Sequence, residues 1–563
     1  MQHTKLVQFT MCIAIFLCML DTTIMNITLP AIQTGLHVSL HQLSWALNIY
    51  TIIFAVLTIP LSRIAEIKGK HKVYLIGLLT FMIGSLLSGV AINLSFLIIG
   101  RAIQSIGAAI LFPVSMTIGI ASAPLNKRKQ VIATLGVTQG IAAALGPVIG
   151  GVLTQFLSWH WVFFINLPLL ILALVLSLNI LSFKNEAVLN VKIDWLGTFF
   201  LMLALFTLVL ALLDINTYGI YSLPVLSLLC LSVLSTGLLL WTEHKVCDPI
   251  INLALFQDRN FNGASLTSVL SNFYLIGVSV LLPTFFTKIQ GTTELKAALL
   301  ITPISFMIFI CSPLSALLLD KLGARWLMFL GFTFMSAGYF SLFHFNANHL
   351  AQIIITCGLI GSGYGILIGP IVVLSASNFT GELLTASQSV SGVLRQIGVI
   401  LSIAVFVTAL TGNIDYQSKL VKQDIKQQVT QSTLDKDTQN RVYINIEKNI
   451  AKQQTDTSQP KHHISTSERM TLIRNATKLA LQHIPKSQLT DQLKQQITSQ
   501  VTKKVDQDIK ATNQEINALI DTSKTIAKTR YAKAFSDIYR ITFPCLIISM
   551  CSLLLFKKKN LNI

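Results

Sequence analysis

Fourteen apolar blocks of about 20 residues punctuate this sequence, each long enough to cross roughly 30 Å of hydrocarbon at about 1.5 Å per residue. They lie near 7–29, 43–62, 73–93, 97–119, 131–154, 161–182 and 196–213. The series continues near 221–241, 263–286, 297–319, 326–345, 351–373, 388–411 and 538–556. Lipid offers no partner to a backbone N–H or C=O, so each block must be a helix, and the expected fold is an all-α membrane protein. Only 12% of residues are charged, against about 25% in a typical soluble domain, too few to cover a water-exposed surface. The net charge of +18 is spread between apolar blocks and not gathered on one face, which argues against nucleic acid as a partner and for the bilayer. The first block is too long for a signal-peptide core and contains Asp21, so it is expected to be a retained span.

Orientation follows from the short loops. With the N-terminus inside, inner loops hold Arg63, Lys68, Lys70, Lys72, Lys127, Arg128, Lys129, Lys184 and Lys192, then Lys245, Arg259, Lys321, Arg325 and Lys557 to Lys559. Short outer loops hold only Lys288 and Lys296. Both termini are therefore expected in the cytoplasm. The polar stretch 412–537 falls outside, and long segments are exempt from the charge rule, so its twenty Lys and Arg do not conflict. It is nearly free of Gly and Pro. Leu489, Leu493, Ile497, Val501, Val505 and Ile509 recur every fourth residue, a stripe that winds around a helix. Two helices broken near Ser458-Gln459-Pro460 are expected, with disorder as the alternative.

Glu66-Ile-Lys-Gly69-Lys70, after the second span, is echoed by Asp320-Lys-Leu-Gly323-Ala-Arg325, after the tenth. The echo suggests duplicated halves around a central site. The expected organisation is a six-helix bundle (1–185), an inserted helix pair (186–260), a second bundle (261–411), the extracellular helical insertion (412–537), and a last helix with a cytoplasmic tail (538–563).

Ionisable residues within the spans are few: Asp21, Arg101, Arg395 and, at an edge, Arg540. A charge in the bilayer is costly, so each is a functional candidate. Asp21 is the only carboxylate in any span interior. It lies roughly 12 Å from the outer end of its span, and Arg101 lies roughly 6–9 Å from the outer end of the fourth. At similar depth, they are placed to face one another across a cavity. Desolvation favours a protonated carboxyl and a nearby guanidinium favours the carboxylate, so Asp21 suits a coupling proton; a permanent clamp between helices is the alternative. Arg395 lies roughly 10 Å from the inner end of its span, and snorkelling to the cytosol or capping carbonyls would account for it as well as a functional role. Gly136, Gly140, Gly146, Pro147, Gly150 and Gly151 make the fifth span a close-packing, deformable helix. Asn26, Trp45, Asn48, Tyr50, Gln104, Gln139, Asn272, Phe273 and Tyr274 are candidates to line a substrate cavity, although helix–helix packing is the common role of such residues. No CxxC pair or His/Cys cluster stands among the eight cysteines, His462-His463 lies in a polar segment, and no phosphate-binding glycine loop is present. No metal, cofactor or ATP is expected, and no enzymatic activity.

Leu20-Asp21-Thr22-Thr23-Ile24-Met25-Asn26-Ile27-Thr28-Leu29-Pro30, Arg101-Ala-Ile-Gln104-Ser-Ile-Gly107 and Gly140 through Gly146-Pro147-Val-Ile-Gly150-Gly151 resemble motifs of the major facilitator superfamily. The likeness is to its fourteen-helix drug:proton antiporters. Trp159-His160-Trp161 through Asn166-Leu-Pro168, Asp194-Trp195-Leu196-Gly197 and Arg395-Gln396-Ile-Gly398 extend it across nearly the whole chain outside the insertion. Glu66 and Ile67 stand where Asp and Arg are usual, Ser62 where Gly is, and His160 where Arg is. The resemblance implies alternating access in the bacterial cytoplasmic membrane, powered by the proton gradient. Asp21 and Arg101 would be the proton-coupling pair and Gly140 to Gly151 the antiporter motif. Glu66, Gly69, Lys70, Asp320, Gly323 and Arg325 would form the gating loops. Substrates would be lipophilic or cationic drugs and antiseptics, and the protein a monomer. Export of an endogenous or lipid-like molecule, or a membrane-anchored binding protein acting through its external domain, are the other readings.

Overall fold

The computed structural model describes residues 2–38, 40–124, 127–184, 186, 188, 193–246, 248–344, 349–452, 466–482 and 491–557. Among them, fourteen helices are long and apolar enough to cross a membrane, so the chain is a multi-pass membrane protein. The membrane helices are α1 (Gln2–Leu36), α2 (Leu40–Lys68), α3 (Lys70–Gly89), α4 (Leu94–Ala121), α5 (Arg128–Phe156), the short α6 (Trp161–Phe164) leading into α7 (Asn166–Ile180), α8 (Trp195–Tyr218) and α9 (Leu223–Glu243). They continue as α10 (Arg259–Thr284), α11 (Glu294–Leu322), α12 (Ala324–Phe343), α13 (Leu350–Ala376), α14 (Gly381–Thr430) and, after α15 (Lys436–Lys452) and α16 (Thr466–Gln482), α17 (Asp491–Ser549).

The chain forms two compact units. The larger comprises 1–287, 292–411 and 536–563. Within it α1 to α7 pack on one another, α10 to α13 form a second group, and α8 and α9 pair as a hairpin against α2. Helix α5 joins the groups by packing on α11 and α13. The outward sides carry large apolar residues such as Ile76, Phe199, Leu317 and Trp326, which suit lipid.

The starts of α4, α8, α10 and α11 are set by side chains that take up a free N–H group of the first turn. Asp194 caps α8 by accepting from Gly197 N at 2.9 Å, and a Cβ on Gly197 would sit 2.2 Å from that carboxylate, which explains the glycine. Single glycines link α2 to α3 and α11 to α12: Gly69 at φ 105° and Gly323 at φ 81°, a region open to glycine and strained for other residues. The echo read in the sequence is thus one backbone turn used twice.

The smaller unit comprises 288–291 and 412–535. The sequence suggests two helices there. The described residues instead form four helical segments, from α14, α15, α16 and α17, while 458–460, His462 and His463 lie outside the description. Val421, Ile425 and Val429 recur every fourth residue and bury against Val442, Ile446, Ile516 and Ala527. The stripe from Leu493 to Ile509 is half-buried, and Leu489 is not described. A bidentate pair, Arg469–Asp506 at 2.7 and 2.8 Å, adds specificity, and Arg530 donates twice to Asp424 Oδ2 at 2.8 and 3.0 Å.

Candidate functional site: a buried charge cluster, a slot and a gate

Five helices, α1, α2, α3, α4 and α7, contribute to the cluster around Asp21. Glycines let two of them come close enough: a Cβ on Gly84 of α3 would lie 2.2 Å from Gln104 N, and one on Gly107 of α4 would lie 2.4 Å from Phe81 N. Arg101 and Gln104, three residues apart on α4, then share a face. Arg101 Nη1 donates to Asp21 Oδ2 at 2.6 Å and to Gln104 Oε1 at 2.7 Å. Gln104 Nε2 donates to Asp21 Oδ1 at 2.9 Å and to Ser85 Oγ at 2.9 Å, and Asn166 Nδ2 reaches Ser85 at 3.4 Å. Arg101 Nε donates to Ala46 O of α2 at 3.4 Å, and its guanidinium lies 4.2 Å from the centre of the Tyr50 ring. Asp21 and Arg101 are 0% and 1% exposed.

The sequence places these two charges across a cavity from one another. They touch instead, because Asp21 is on the wrong side of α1 to face one. At about 100° per residue, Asp21, Met25, Thr28 and Ile32 share a face buried in the first helix group, whereas Met19, Thr23 and Ile27 share the opposite one. A narrow slot of about 40 Å³ lies on this second face. Thr23 and Ile27 of α1, Ala143 and Pro147 of α5, Ile276 and Ser279 of α10 and Ile304 and Ser305 of α11 are among its walls.

None of the described cavity candidates lines this slot. Tyr50 and Gln104 serve the charge cluster, and Gln139 Nε2 meets Met116 Sδ at 3.6 Å. Asn272 donates to Ser268 O at 2.8 Å and accepts from Tyr364 at 3.1 Å. Phe273 packs 5.2 Å from Phe406, and the Tyr274 hydroxyl lies 2.9 Å from Ser549 Oγ. Asn48 is half-buried on α2, Trp45 is 41% exposed, and the Asn26 side chain is outside the description. Gln104, Asn272 and Tyr274 find partners within the bundle, and the slot is left to aliphatic, Ser and Thr side chains with Pro147.

The α5 glycines face two ways. Cβ atoms on Gly136, Gly140 and Gly151 would meet Val372, Ile308 and Ala298 at 3.2, 3.4 and 3.1 Å, all in the second helix group. On Gly146 and Gly150, about 90° around the helix, they would meet Thr23 Oγ1 at 2.0 Å and Ile24 at 2.9 Å, both on α1. Pro147, between the two faces, lines the slot.

The end of the bundle that carries the α2–α3 loop is closed. Arg63 of α2 bonds Glu382 of α14 and lies 3.3 Å from Glu66, which Lys70 approaches at 3.7 Å. Ser389 Oγ donates to Ser62 Oγ at 2.7 Å, and Lys129 meets Asp320 at 2.9 Å. Glu186 accepts from His71 N at 2.6 Å at the start of α3, and Arg325 donates to Phe556 O at 2.8 Å. The loop motif points to Glu66, Lys70 and Asp320. It gives no sign of Glu382 or Ser389, whose roles depend on a second helix group being apposed. Disulfide cross-linking across this end, with Ser62→Cys and Ser389→Cys in a background free of native cysteines, measures that apposition. Replacing Arg63 and Glu382 together with Gln is expected to lower the cross-linked fraction at least threefold, read by mass spectrometry of the linked peptides.

Two further motif positions are placed. His160 stacks on Trp159 at 3.7 Å, and burial pushes its imidazole below the usual range, so it carries no fixed charge at pH 7 where an arginine would. Arg395 of α14 reaches across to α1 and α4, touching Met19 Sδ and lying 4.7 Å from the centre of the Phe112 ring.

The family model of the Major Facilitator Superfamily matches residues 11–403. The chain belongs to that superfamily. It is therefore a membrane transporter. It is similar to Multidrug resistance protein Stp of Mycobacterium tuberculosis, at 28% identity over 400 residues, 71% of this chain and 74% of that one. It is also 28% identical to Multidrug resistance protein 3 of Bacillus subtilis over 413 residues, 72% and 80% of the two chains. Riboflavin transporter RibZ of Clostridioides difficile is 27% identical over 424 residues, covering 74% of this chain and 91% of RibZ.

Proposed function

We propose that this superfamily transporter is a proton-driven exporter of small lipophilic molecules, working by alternating access in a bacterial cytoplasmic membrane. The observation that carries this reading is the two-faced α1. One face presents Asp21 to Arg101 and Gln104, and the other lines the slot with Thr23 and Ile27. A displacement of α1 that changes the slot must also change the carboxylate's partners. A proton on Asp21 removes the charge that holds Arg101, so the cluster can part without leaving two unpaired charges in a dry site. Such a link between protonation and helix position is what proton coupling requires.

The closed end bears the Lys- and Arg-rich loops, so the positive-inside rule assigns it to the cytoplasm, with both termini, and 412–537 to the outside. Arg63–Glu382, Ser62–Ser389 and Lys129–Asp320 then form a cytoplasmic gate. Resemblance to relatives named for multidrug resistance supports drugs and antiseptics as substrates. The name of RibZ supports a single metabolite as the second reading.

Everted vesicles from a pump-deficient bacterial host test both. An interior-acid gradient is expected to drive uptake of several chemically unrelated lipophilic compounds, and a protonophore to stop it. Uptake that is confined to one metabolite supports the second reading, and uptake indifferent to the gradient removes proton coupling.

A further inference from the structure

The two guanidiniums in the span interiors are treated differently by the fold. Arg101 has Asp21 against it at 2.6 Å. Among the described residues, Arg395 has no carboxylate against it. Its Nε is buried with no hydrogen-bond acceptor, and its guanidinium is in contact with a thioether and an aromatic ring. The titratable groups acting on its charge are the Tyr364 and Tyr50 phenols and the Cys18 thiol, all neutral at pH 7. A guanidinium so placed, with cation–π contact as its main compensation, is costly to keep.

Its position says what would repay that cost. Arg395 touches Met19, and Thr23, one turn further along the same face of α1, lines the slot, so the two sites are about 6 Å apart along that helix. The side chain keeps part of its surface accessible. The slot above is walled by aliphatic, Ser and Thr side chains together with Pro147, with no ionisable group among these lining residues. An apolar slot with a lone cation one turn of α1 away matches an amphiphile with one negative end.

We infer that Arg395 binds the anionic headgroup of the transported molecule (a carboxylate, sulfonate or phosphate) while the apolar part lies along the slot as it widens during transport, so that anionic amphiphiles are preferred to cationic ones. This deepens the exporter reading and, as a statement about transported molecules, rests on it. A guanidinium presents paired donors to such a headgroup, which an ammonium does not, so Lys is expected to replace it only in part.

The test compares decanesulfonate with decyltrimethylammonium, equal in tail and opposite in charge, on the purified full chain in phosphatidylcholine nanodiscs. Calorimetric titration is expected to show the sulfonate binding at least tenfold more tightly. Arg395→Gln is expected to weaken the sulfonate at least tenfold and leave the ammonium unchanged or stronger, with Arg395→Lys between. Equal binding of both probes by the unaltered chain, tighter binding of the ammonium, or full sulfonate affinity in Arg395→Gln would overturn the assignment. If Arg395→Gln fails to fold, the preference of the unaltered chain and the Lys variant decide it. Proteoliposome flux under a pH gradient separates the two claims. Selective binding without flux would sink the exporter reading and leave the site, whereas flux without charge preference would do the reverse.

Discussion

Vesicles carrying Asp21→Asn are expected to lose proton-driven efflux, with the initial rate falling at least 100-fold to that of vesicles lacking the protein. Asparagine keeps the shape of the side chain, and its amide oxygen still accepts a hydrogen bond, but it can neither neutralise Arg101 nor exchange a proton. The remaining Arg101 charge would be 1% exposed with only neutral partners, Gln104, Ala46 O and the Tyr50 ring. Removing one member of a buried pair costs about 3–5 kcal/mol, so a lower thermal midpoint is expected as well. Instability alone would not explain the result if Asp21→Asn still binds substrate. Retained binding with abolished pH-driven flux is the outcome that identifies Asp21 with coupling. Efflux at the unaltered rate would leave the Asp21–Arg101 pair as a clamp.

Gly146→Ala is the second large effect, and it arises from a methyl group. The added Cβ would lie 2.0 Å from Thr23 Oγ1, 2.8 Å from Thr23 Cβ and 3.1 Å from Ile24 N. Rotation of the Thr23 hydroxyl relieves the first contact only, so α1 must move away from α5. Overpacking of this kind costs typically about 1–3 kcal/mol. The functional loss is expected to be larger than the stability loss, at least tenfold in efflux, because the displaced helix holds Asp21 on one side and the slot on the other. Thr23→Gly removes both offending atoms, so Gly146→Ala with Thr23→Gly is expected to recover at least a third of the activity. A double-mutant cycle on efflux and on thermal midpoint measures that coupling. Additive losses would mean that the two helices do not press on one another during transport.

Much of this architecture is legible in the sequence because lipid restricts it. Backbone groups in hydrocarbon must pair within a helix, so block length alone sets the fourteen spans. Asp21 and Arg101 stand out because a charge in a span needs a reason, and they prove to be in contact. Gly69 and Gly323 are legible for a different reason: one residue between two helices demands a positive φ. Polar span residues such as Gln139, Asn272 and Tyr274 contact neighbouring groups and stand outside the slot, and residue type alone does not say whether a group faces a neighbour or a void. The slot itself, walled by residues like Thr23, Ile276 and Ile304, has no compositional signature that separates it from packing. Glu382 is silent in the sequence because its partner Arg63 is 319 positions away.

Coupling requires that Asp21 change its protonation as the bundle changes the side on which it is open. Infrared difference spectroscopy reads this directly, comparing the unaltered chain with the Arg63→Gln, Glu382→Gln variant expected to open the gate, each with and without Asp21→Asn. A protonated-carboxyl stretching band is expected to distinguish the gate-open from the gate-closed form and to vanish in Asp21→Asn. The same spectrum in both forms, or a band that survives Asp21→Asn, would contradict proton coupling through this carboxyl.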